Sequence, residues 1–318
     1  MTDNALLSGT ILKAQSGFFT VHTAQGDFVC QLRGKLKHHR QKSDLAAIGD
    51  KVEIETAPDG TGMIEIVTPR HNVLMRRAPT GYGRPFRDPE ANKGQVIIAN
   101  PDLLVFVFAC AEPTANPRLI DRFLVVAEAA QLPVILCANK RDKVTEAEAQ
   151  ALFGLYPTIG YRVVFTSAKT GQGLEELRAL MRGQIAVFTG QSGVGKSSLL
   201  NALQPGLAIY TREVSATTTK GRHTTVHPEL IPLEGGGYVA DTPGIRTIAP
   251  WDVEPEELDA YFVDIRPFVE NCAFSDCSHI HEPGCAVREA VEAGKIAPSR
   301  YDSYRRLRRS EREAWGDE

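Results

Sequence analysis

Gly190-Gln191-Ser192-Gly193-Val194-Gly195-Lys196-Ser197 fits the pattern G-x-x-x-x-G-K-[ST] of a phosphate-binding loop. Its glycines let backbone N–H groups turn inward around phosphate oxygens, and Lys196 adds a mobile positive charge. The flanks agree with that chemistry. Before the loop, Ile185-Ala186-Val187-Phe188-Thr189 is a short apolar run suited to a buried strand. After it, Ser198-Leu199-Leu200-Asn201-Ala202-Leu203 reads as a helix whose N-terminus attracts anions. A Gly-rich surface loop would account for the glycines, but not for the lysine, the hydroxyl and the strand-loop-helix setting together. The stretch therefore predicts a central α/β domain built around a bound nucleoside phosphate. Its position is unusual, because a loop that often opens such a domain starts here only at residue 190 of 318.

The residues upstream explain the position. From residue 95 the texture is that of an α/β domain: residues 96–100 and 103–108 read as strands buried on both faces. Residues 119–130 carry a helical apolar stripe, 133–138 a strand, 146–155 a helix and 162–166 a strand, an alternation that predicts a doubly wound, largely parallel sheet. Ligands of such sheets gather beyond the carboxyl ends of the strands. At one such end stands Asn139-Lys140-Arg141-Asp142. The carboxylate of Asp142 matches two donors on the edge of guanine, Asn139 can bond nearby, and Lys140 can lie along the ring. One strand later, Ser167-Ala168-Lys169 offers a backbone N–H to the guanine carbonyl oxygen. Each loop alone is open to a bland reading as a polar turn; placed one strand apart, they favour GTP over ATP.

Downstream of the phosphate loop, Gly221-Arg222-His223-Thr224-Thr225 supplies a threonine hydroxyl that can complete a magnesium shell when a γ-phosphate is present. Asp241-Thr242-Pro243-Gly244 follows the strand-like Tyr238-Val239-Ala240. There the Asp241 carboxylate can hold magnesium, through water, and the Gly244 N–H can bond the γ-phosphate.

Composition limits the rest. A formal net charge of −3 gives no global nucleic-acid signal, so polyanion binding must come from local patches. No apolar run approaches a membrane span, and Met1-Thr2-Asp3-Asn4 lacks a basic secretory start, which predicts a cytoplasmic protein without membrane contact. Cys30, Cys110 and Cys137 are scattered in strand-like surroundings and read as reduced, buried thiols. Residues 1–70 hold short strands at spacings that suit a small barrel of the oligonucleotide-binding (OB) type. Within them lies a basic stretch, where Arg33, Lys35, Lys37, Arg40 and Lys42 are candidate RNA-backbone contacts, with a solvated loop as the alternative. Residues 71–94, with Arg76, Arg77, Arg84 and Arg87 among prolines and glycines, read as a basic linker.

Taken with their order, the motifs resemble the translation-factor class of GTPases, rotated so that the base readers precede the phosphate loop. Such a circular permutation is physically tolerable, because domain termini often lie close together at the surface. The chain is similar to the ribosome small subunit-dependent GTPase A family over nearly its whole length: a barrel-like start with Arg33-Gly34-Lys35, the rotated GTPase at 95–250, the 221–225 segment and a cysteine cluster in 251–318. The resemblance implies a monomeric assembly factor for the small (30S) ribosomal subunit and its 16S rRNA, with GTP hydrolysis stimulated by that subunit. An RNA-binding module that senses guanine nucleotide with little turnover is the competing class.

The tail carries chemistry of its own. Cys272, Cys277, His279 and Cys285 supply three thiolates and an imidazole, enough to close a tetrahedral structural zinc site in a mainly helical domain. His281 competes for the histidine role, and the family pattern favours His279. Beyond them Arg305, Arg306, Arg308 and Arg309 lie on an expected helix, either as a solvated basic face or as an RNA contact.

For the mechanism, Lys196 and the loop amides would hold the β- and γ-phosphates of GTP, with Ser198 at the start of the helix, and Ser197, Thr225 and Asp241 would organise Mg2+. The position just after Asp-x-x-Gly, where many GTPases carry a glutamine, is Ile245; relatives of the family often have phenylalanine there. An isoleucine cannot orient water, so turnover alone should be slow and a catalytic group must come from elsewhere, with His223 the candidate. Because Asp241 lies just ahead of the zinc region in sequence, movement at Gly244 is expected to pass into the residues after Trp251.

Overall fold

The computed structural model describes residues 6–34, 36, 45–76, 95–204, 229–241 and 253–309. These fall into two compact units: one from Met1–Leu103, Arg178–Thr189 and Tyr210–Thr247, the other from Leu104–Leu177, Gly190–Ile209 and Ile248–Glu318.

In the first unit, β1 (Leu7–Gln15), β2 (Phe18–Thr23), β3 (Gly26–Leu32), β4 (Lys51–Thr56) and β5 (Thr61–Val67) close into a barrel in the order β1-β2-β3-β5-β4. Only β3 and β5 pair in parallel. The period-2 pattern dictates the inside: Phe19 and Val21 are buried while Phe18 between turn and strand stays exposed. Ile11, Cys30, Val52, Ile54 and Ile64 complete the barrel core. Extra residues in β1 between Ile11 and Lys13 and in β5 between Ile64 and Ile66 supply the local bending that closure of so small a barrel requires. The OB-like barrel expected from the strand spacing is thus present. Below it, Asp50 is fully buried and accepts both Nε and Nη2 of Arg70 at 2.7 Å, a bidentate pair.

β6 (Val73–Arg76) pairs antiparallel with β7 (Gln95–Ala99). The apolar texture of 96–100 had pointed to a parallel strand; instead β7 belongs to a two-stranded sheet, and its Ala99 N–H donates to Ile48 O at 2.8 Å. An apolar run reports burial, not the identity of the partner strand.

The chain then enters the second unit. β8 (Leu103–Ala109), buried along its whole length, lies beside β9 (Val134–Asn139), which lies beside β10 (Arg162–Phe165), all parallel. Between β8 and β9 runs α1 (Pro117–Ala129), started by Asn116, whose side chain accepts from Arg118 N, and by Pro117 in the first turn. α2 (Glu146–Phe153) opens with a capping box between Thr145 and Glu148, and α3 (Leu155–Thr158) follows. α4 (Leu174–Met181) comes after β10, and from Arg178 the chain is in the first unit again, where it forms β11 (Ile185–Thr189); α5 (Lys196–Leu203), which starts at the phosphate loop, belongs to the second unit.

Back in the first unit, β12 (Glu229–Pro232) pairs antiparallel with β13 (Tyr238–Asp241), and β13 pairs in parallel with β11. In this register Glu229 stands opposite Asp241. The carboxyl-terminal part of the second unit is helical: a 3-10 segment Pro255–Tyr261, then α6 (Arg266–Val269), α7 (Ala286–Glu292) and α8 (Pro298–Arg309). Leu258, Phe262, Ile265, Val287, Ile296, Tyr304 and Leu307 form its core together with Val125 of α1. Among the described residues no helix is long and apolar enough to cross a membrane.

Candidate functional site

The phosphate loop leaves β11 at Gly190, where the chain turns over β8 so closely that a Cβ would lie 2.1 Å from Val107 O; with φ at +151° only glycine fits there without strain. Gln191, Ser192 and Gly193 are exposed, Val194 is buried beneath them, and Gly195 caps α5 with φ at +93°. Lys196 and Ser197 form the first turn of α5, with Ser198 exposed beside them. The Lys196 ammonium donates to the carbonyls of Gly190 at 2.6 Å and Gln191 at 2.8 Å, so the charge is held across the mouth of the loop. The loop thus ends at a helix start and carries a cation, the chemistry an anionic phosphate needs.

The two loops expected to read the base meet this loop within the same unit. Asn139, at the carboxyl end of β9 and 1% exposed, donates from Nδ2 to Val194 O at 2.9 Å. Its Oδ1 accepts from Ala168 N and from Thr166 Oγ1, both at 3.3 Å. One side chain therefore joins all three loops. Lys140, in the left-handed region at φ 59°, donates from Nζ to Gly193 O at 2.7 Å and to Glu112 O. Burial, helped by the nearby Lys143 charge, holds its ammonium below the usual range. Arg141 turns away, donating to Val144 O at 2.6 Å and pairing with Glu146. Ser167, fully buried, donates to Asp142 Oδ1 at 2.6 Å, which holds that carboxyl below the usual carboxylate range and leaves an ionised, exposed acceptor facing solvent. Lys169 is exposed beside it. Thr166 and Glu112, which steady Asn139 and Lys140, carried no motif signal; only their place at strand ends hinted at a role.

Of the catalytic and magnesium candidates, Asp241 ends β13, while His223, Thr225, Gly244 and Ile245 lie outside the described residues, as does Trp251. In the barrel, Arg33 pairs with Glu55 at 3.1 Å and with Glu65; Lys35, Lys37, Arg40 and Lys42 lie outside the described residues.

A second cluster stands in the helical part. Ligand atoms of Cys272, Cys277, His279 and Cys285 all lie within 4.8 Å of one another. His279 Nδ1 is 3.4 Å from Cys272 Sγ and 3.5 Å from Cys285 Sγ, and those two sulfurs are 3.9 Å apart. A zinc tetrahedron with ordinary bond lengths has edges of about 3.6 Å between N and S and about 3.8 Å between two sulfurs, so these three edges fit that metal's size. His279 is wholly buried, and its Nε2 lies 3.1 Å from Asp259 Oδ2, which aims Nδ1 at the thiols. His281, with a side chain 81% exposed, stands outside the cluster. Asp259 was not legible in sequence, since it lies on the preceding 3-10 segment, 20 residues away. Of the α8 arginines, Arg305 covers the Tyr301 ring, Arg306 pairs with Asp302, and Arg308 donates to Pro255 O.

Two loops with the residue pattern expected of a guanine reader, joined to a loop of the phosphate-binding pattern at the ends of parallel strands, point to a P-loop GTPase, here with its motifs rotated in chain order. Comparison with known proteins makes the assignment narrower. The RsgA GTPase family model matches residues 67–251 and that of the RsgA N-terminal domain residues 8–64, and the chain belongs to the RsgA family. The small ribosomal subunit biogenesis GTPase RsgA of Gemmatimonas aurantiaca is 43% identical over 305 residues, covering 95% of this chain and 96% of its own. That of Moorella thermoacetica is 41% identical over 94% and 95%. Among solved structures, YjeQ from Thermotoga maritima is similar with a TM-score of 0.74 at 36% identity, covering 96% of this chain and 98% of its own. YloQ, described as a circularly permuted GTPase, reaches the same TM-score of 0.74 at 33% identity, over 97% and 96%. The protein is thus a GTP hydrolase, whose family handles guanine nucleotide with Mg2+.

Proposed function

We propose that this GTPase binds the small (30S) ribosomal subunit and assists its late maturation, turning over GTP slowly alone and faster on the subunit. The observation that carries this reading is full-length likeness: relatives named for small-subunit biogenesis match barrel, GTPase and Cys/His region together, over 95% of the chain in one case. We take the organisation to be an OB-like barrel at 1–70, a basic linker at 71–94 whose start forms β6, the GTPase at 95–250 and a metal-binding domain at 251–318. The protein acts as a cytoplasmic monomer, and Arg33, Lys35, Lys37, Arg40 and Lys42 are its candidate contacts with 16S rRNA.

In the nucleotide site, Asp142 accepts the two guanine donors and a backbone N–H of the Ser167-Ala168-Lys169 loop donates to the base carbonyl. Asn139 and Lys140 fix the loop geometry that makes this possible. The phosphate-loop amides and Lys196 hold the β- and γ-phosphates, Ser197, Thr225 and Asp241 orient the magnesium of the substrate, and Gly244 N–H answers the γ-phosphate. Because Ile245 cannot align water, His223 is the candidate for that task. Cys272, Cys277, His279 and Cys285 hold one structural Zn2+, which adds folding energy to a small core.

The test is GTP hydrolysis with and without small subunits across a salt series, because an RNA contact makes the effect salt-dependent. Stimulation that fades with salt is expected. No stimulation at any salt would overturn the reading and leave a nucleotide-sensing RNA-binding module in its place. His223→Ala should abolish stimulation with nucleotide affinity nearly intact; unchanged stimulation removes His223 from the mechanism.

A further inference from the structure

Asp241 ends a strand that is gripped from the barrel. Lys13, on β1, places Nζ 2.5 Å from Oε1 of Glu229 on β12. Glu229 is the residue paired with Asp241 across the β12–β13 ladder. At the other end of the hairpin, the His22 ring of β2 meets Tyr238, the first residue of β13, edge to face at 6.0 Å and 85°. Asp27 Oδ1, 2.6 Å from His22 Nδ1, fixes the orientation of that ring. All of these residues belong to one compact unit, so barrel and hairpin move as neighbours within it.

The sequence position of the hairpin gives this grip its meaning. It begins just after the 221–225 segment and ends at the first residue of Asp-x-x-Gly, so it joins the two stretches expected to respond to a γ-phosphate. Strand pairing is stiff compared with a loop: a shift of Glu229 along or away from β13 changes the ladder at Asp241 itself. Lys13 and Glu229 are only about half exposed, and neither belongs to the nucleotide motifs.

We propose that Lys13 and Glu229 are positioning residues through which the barrel, once docked on RNA, sets the strand that presents Asp241. The proposal rests on the reading of a subunit-stimulated enzyme. It makes the barrel more than a tether: occupancy of its outer face biases the hairpin, and the hairpin biases the magnesium-holding residue.

The experiment compares wild type, Lys13→Glu, Glu229→Lys, the double exchange and Lys13→Arg, measuring kcat and KM for GTP with and without small subunits, and subunit affinity. Each single reversal should lower the subunit-stimulated kcat about two- to fivefold, the range an exposed ion pair supports, with basal turnover and KM unchanged. The double exchange and Lys13→Arg should recover most of that loss, since they restore a pair of opposite charges. Singles without effect, or a double that loses the product of both, overturn the proposal. So does a loss confined to Lys13→Glu and traced to weaker subunit binding, which makes Lys13 a direct RNA contact. A wild type that subunits fail to stimulate is a separate result, seen before any variant, and it removes the reading on which the proposal rests.

Discussion

Asn139 Nδ2 donates to Val194 O at 2.9 Å, and through this bond the loop of residues 139–142 is fastened to the loop of residues 190–197. A Cβ on Gly195 would come within 2.5 Å of the same amide, so the glycine is what lets the two loops approach. Replacing Asn139 by alanine orphans a buried carbonyl and frees Ala168 N at once, a loss of about 1–3 kcal/mol. GTP and GDP should therefore both bind about ten- to a hundredfold more weakly, and by similar factors, because the tie does not involve the γ-phosphate. Titration with fluorescent GTP and GDP analogues checks this; a selective loss of GTP alone would contradict it.

Asp142 makes a sharper forecast about the base. Its carboxylate, kept ionised by the Ser167 hydroxyl at 2.6 Å, can accept from both the ring N–H and the exocyclic amine of guanine. Asparagine keeps one acceptor and turns the other position into a donor, which suits the second carbonyl of xanthine. Asp142→Asn should weaken GTP by about a hundredfold or more and prefer XTP over GTP, since a site built to pair a polar group rejects the analogue strongly. Competition of XTP and GTP for the variant measures the exchange. Ser167→Ala should give a milder loss in the same direction.

The parts of this protein that were legible in its sequence are those whose chemistry is contiguous. Residues 190–197, 139–142 and 167–169 each carry their spacing within a few positions, and their order alone pointed to a rotated domain. The barrel strands were legible from alternation, as with buried Val21 between Thr20 and His22, which are half-buried. Pairing was not: β7 looked like a parallel strand because burial is written in composition, while the partner, β6, is chosen by the fold. Long-range polar partners were also invisible. Nothing near Arg300 announces Asp121, which lies 179 residues earlier, nor that this arginine is 1% exposed.

The Cys/His cluster predicts a metal-dependent fold. Chelation, or Cys285→Ser, should remove the ion and loosen α7 and α8, because sulfur ligands and core residues such as Val287 and Tyr304 belong to one packed cluster. Asp259→Asn should keep the four ligands and weaken metal affinity about ten- to a hundredfold, since it orients His279 from 3.1 Å behind the ring. Metal content by elemental analysis, competition with a chromophoric chelator and proteolysis of the tail separate these effects. Equal affinity in wild type and Asp259→Asn would assign Asp259 a packing role only.

The final expectation concerns what fastens that tail to the GTPase core. Arg300 on α8 donates from Nη1 to Asp121 Oδ1 of α1 at 2.7 Å and from Nη2 to Asp264 Oδ1 at 2.8 Å, with its guanidinium 4.5 Å from the Phe262 ring centre. Tyr156 OH adds a bond to Asp121 at 3.2 Å. Burial pushes the Asp121 carboxyl up, and Arg300 pulls it partly back. Arg300→Leu leaves two buried carboxylates without their cation and should cost about 3–5 kcal/mol, and lysine should not rescue it, because a point charge cannot serve both partners. The sign with pH follows from the raised Asp121 value. A carboxyl whose native pKa exceeds its unfolded value stabilises the fold below the unfolded pKa and loses that contribution as pH rises through the native one. In Arg300→Leu the upward push acts unopposed, so the variant should gain on wild type as the pH falls from 7 toward 4, where Asp121 takes up a proton. Denaturation midpoints followed by a probe in α8 at several pH values measure the gap; a gap constant over that range would place the cost in lost packing against Phe262 instead.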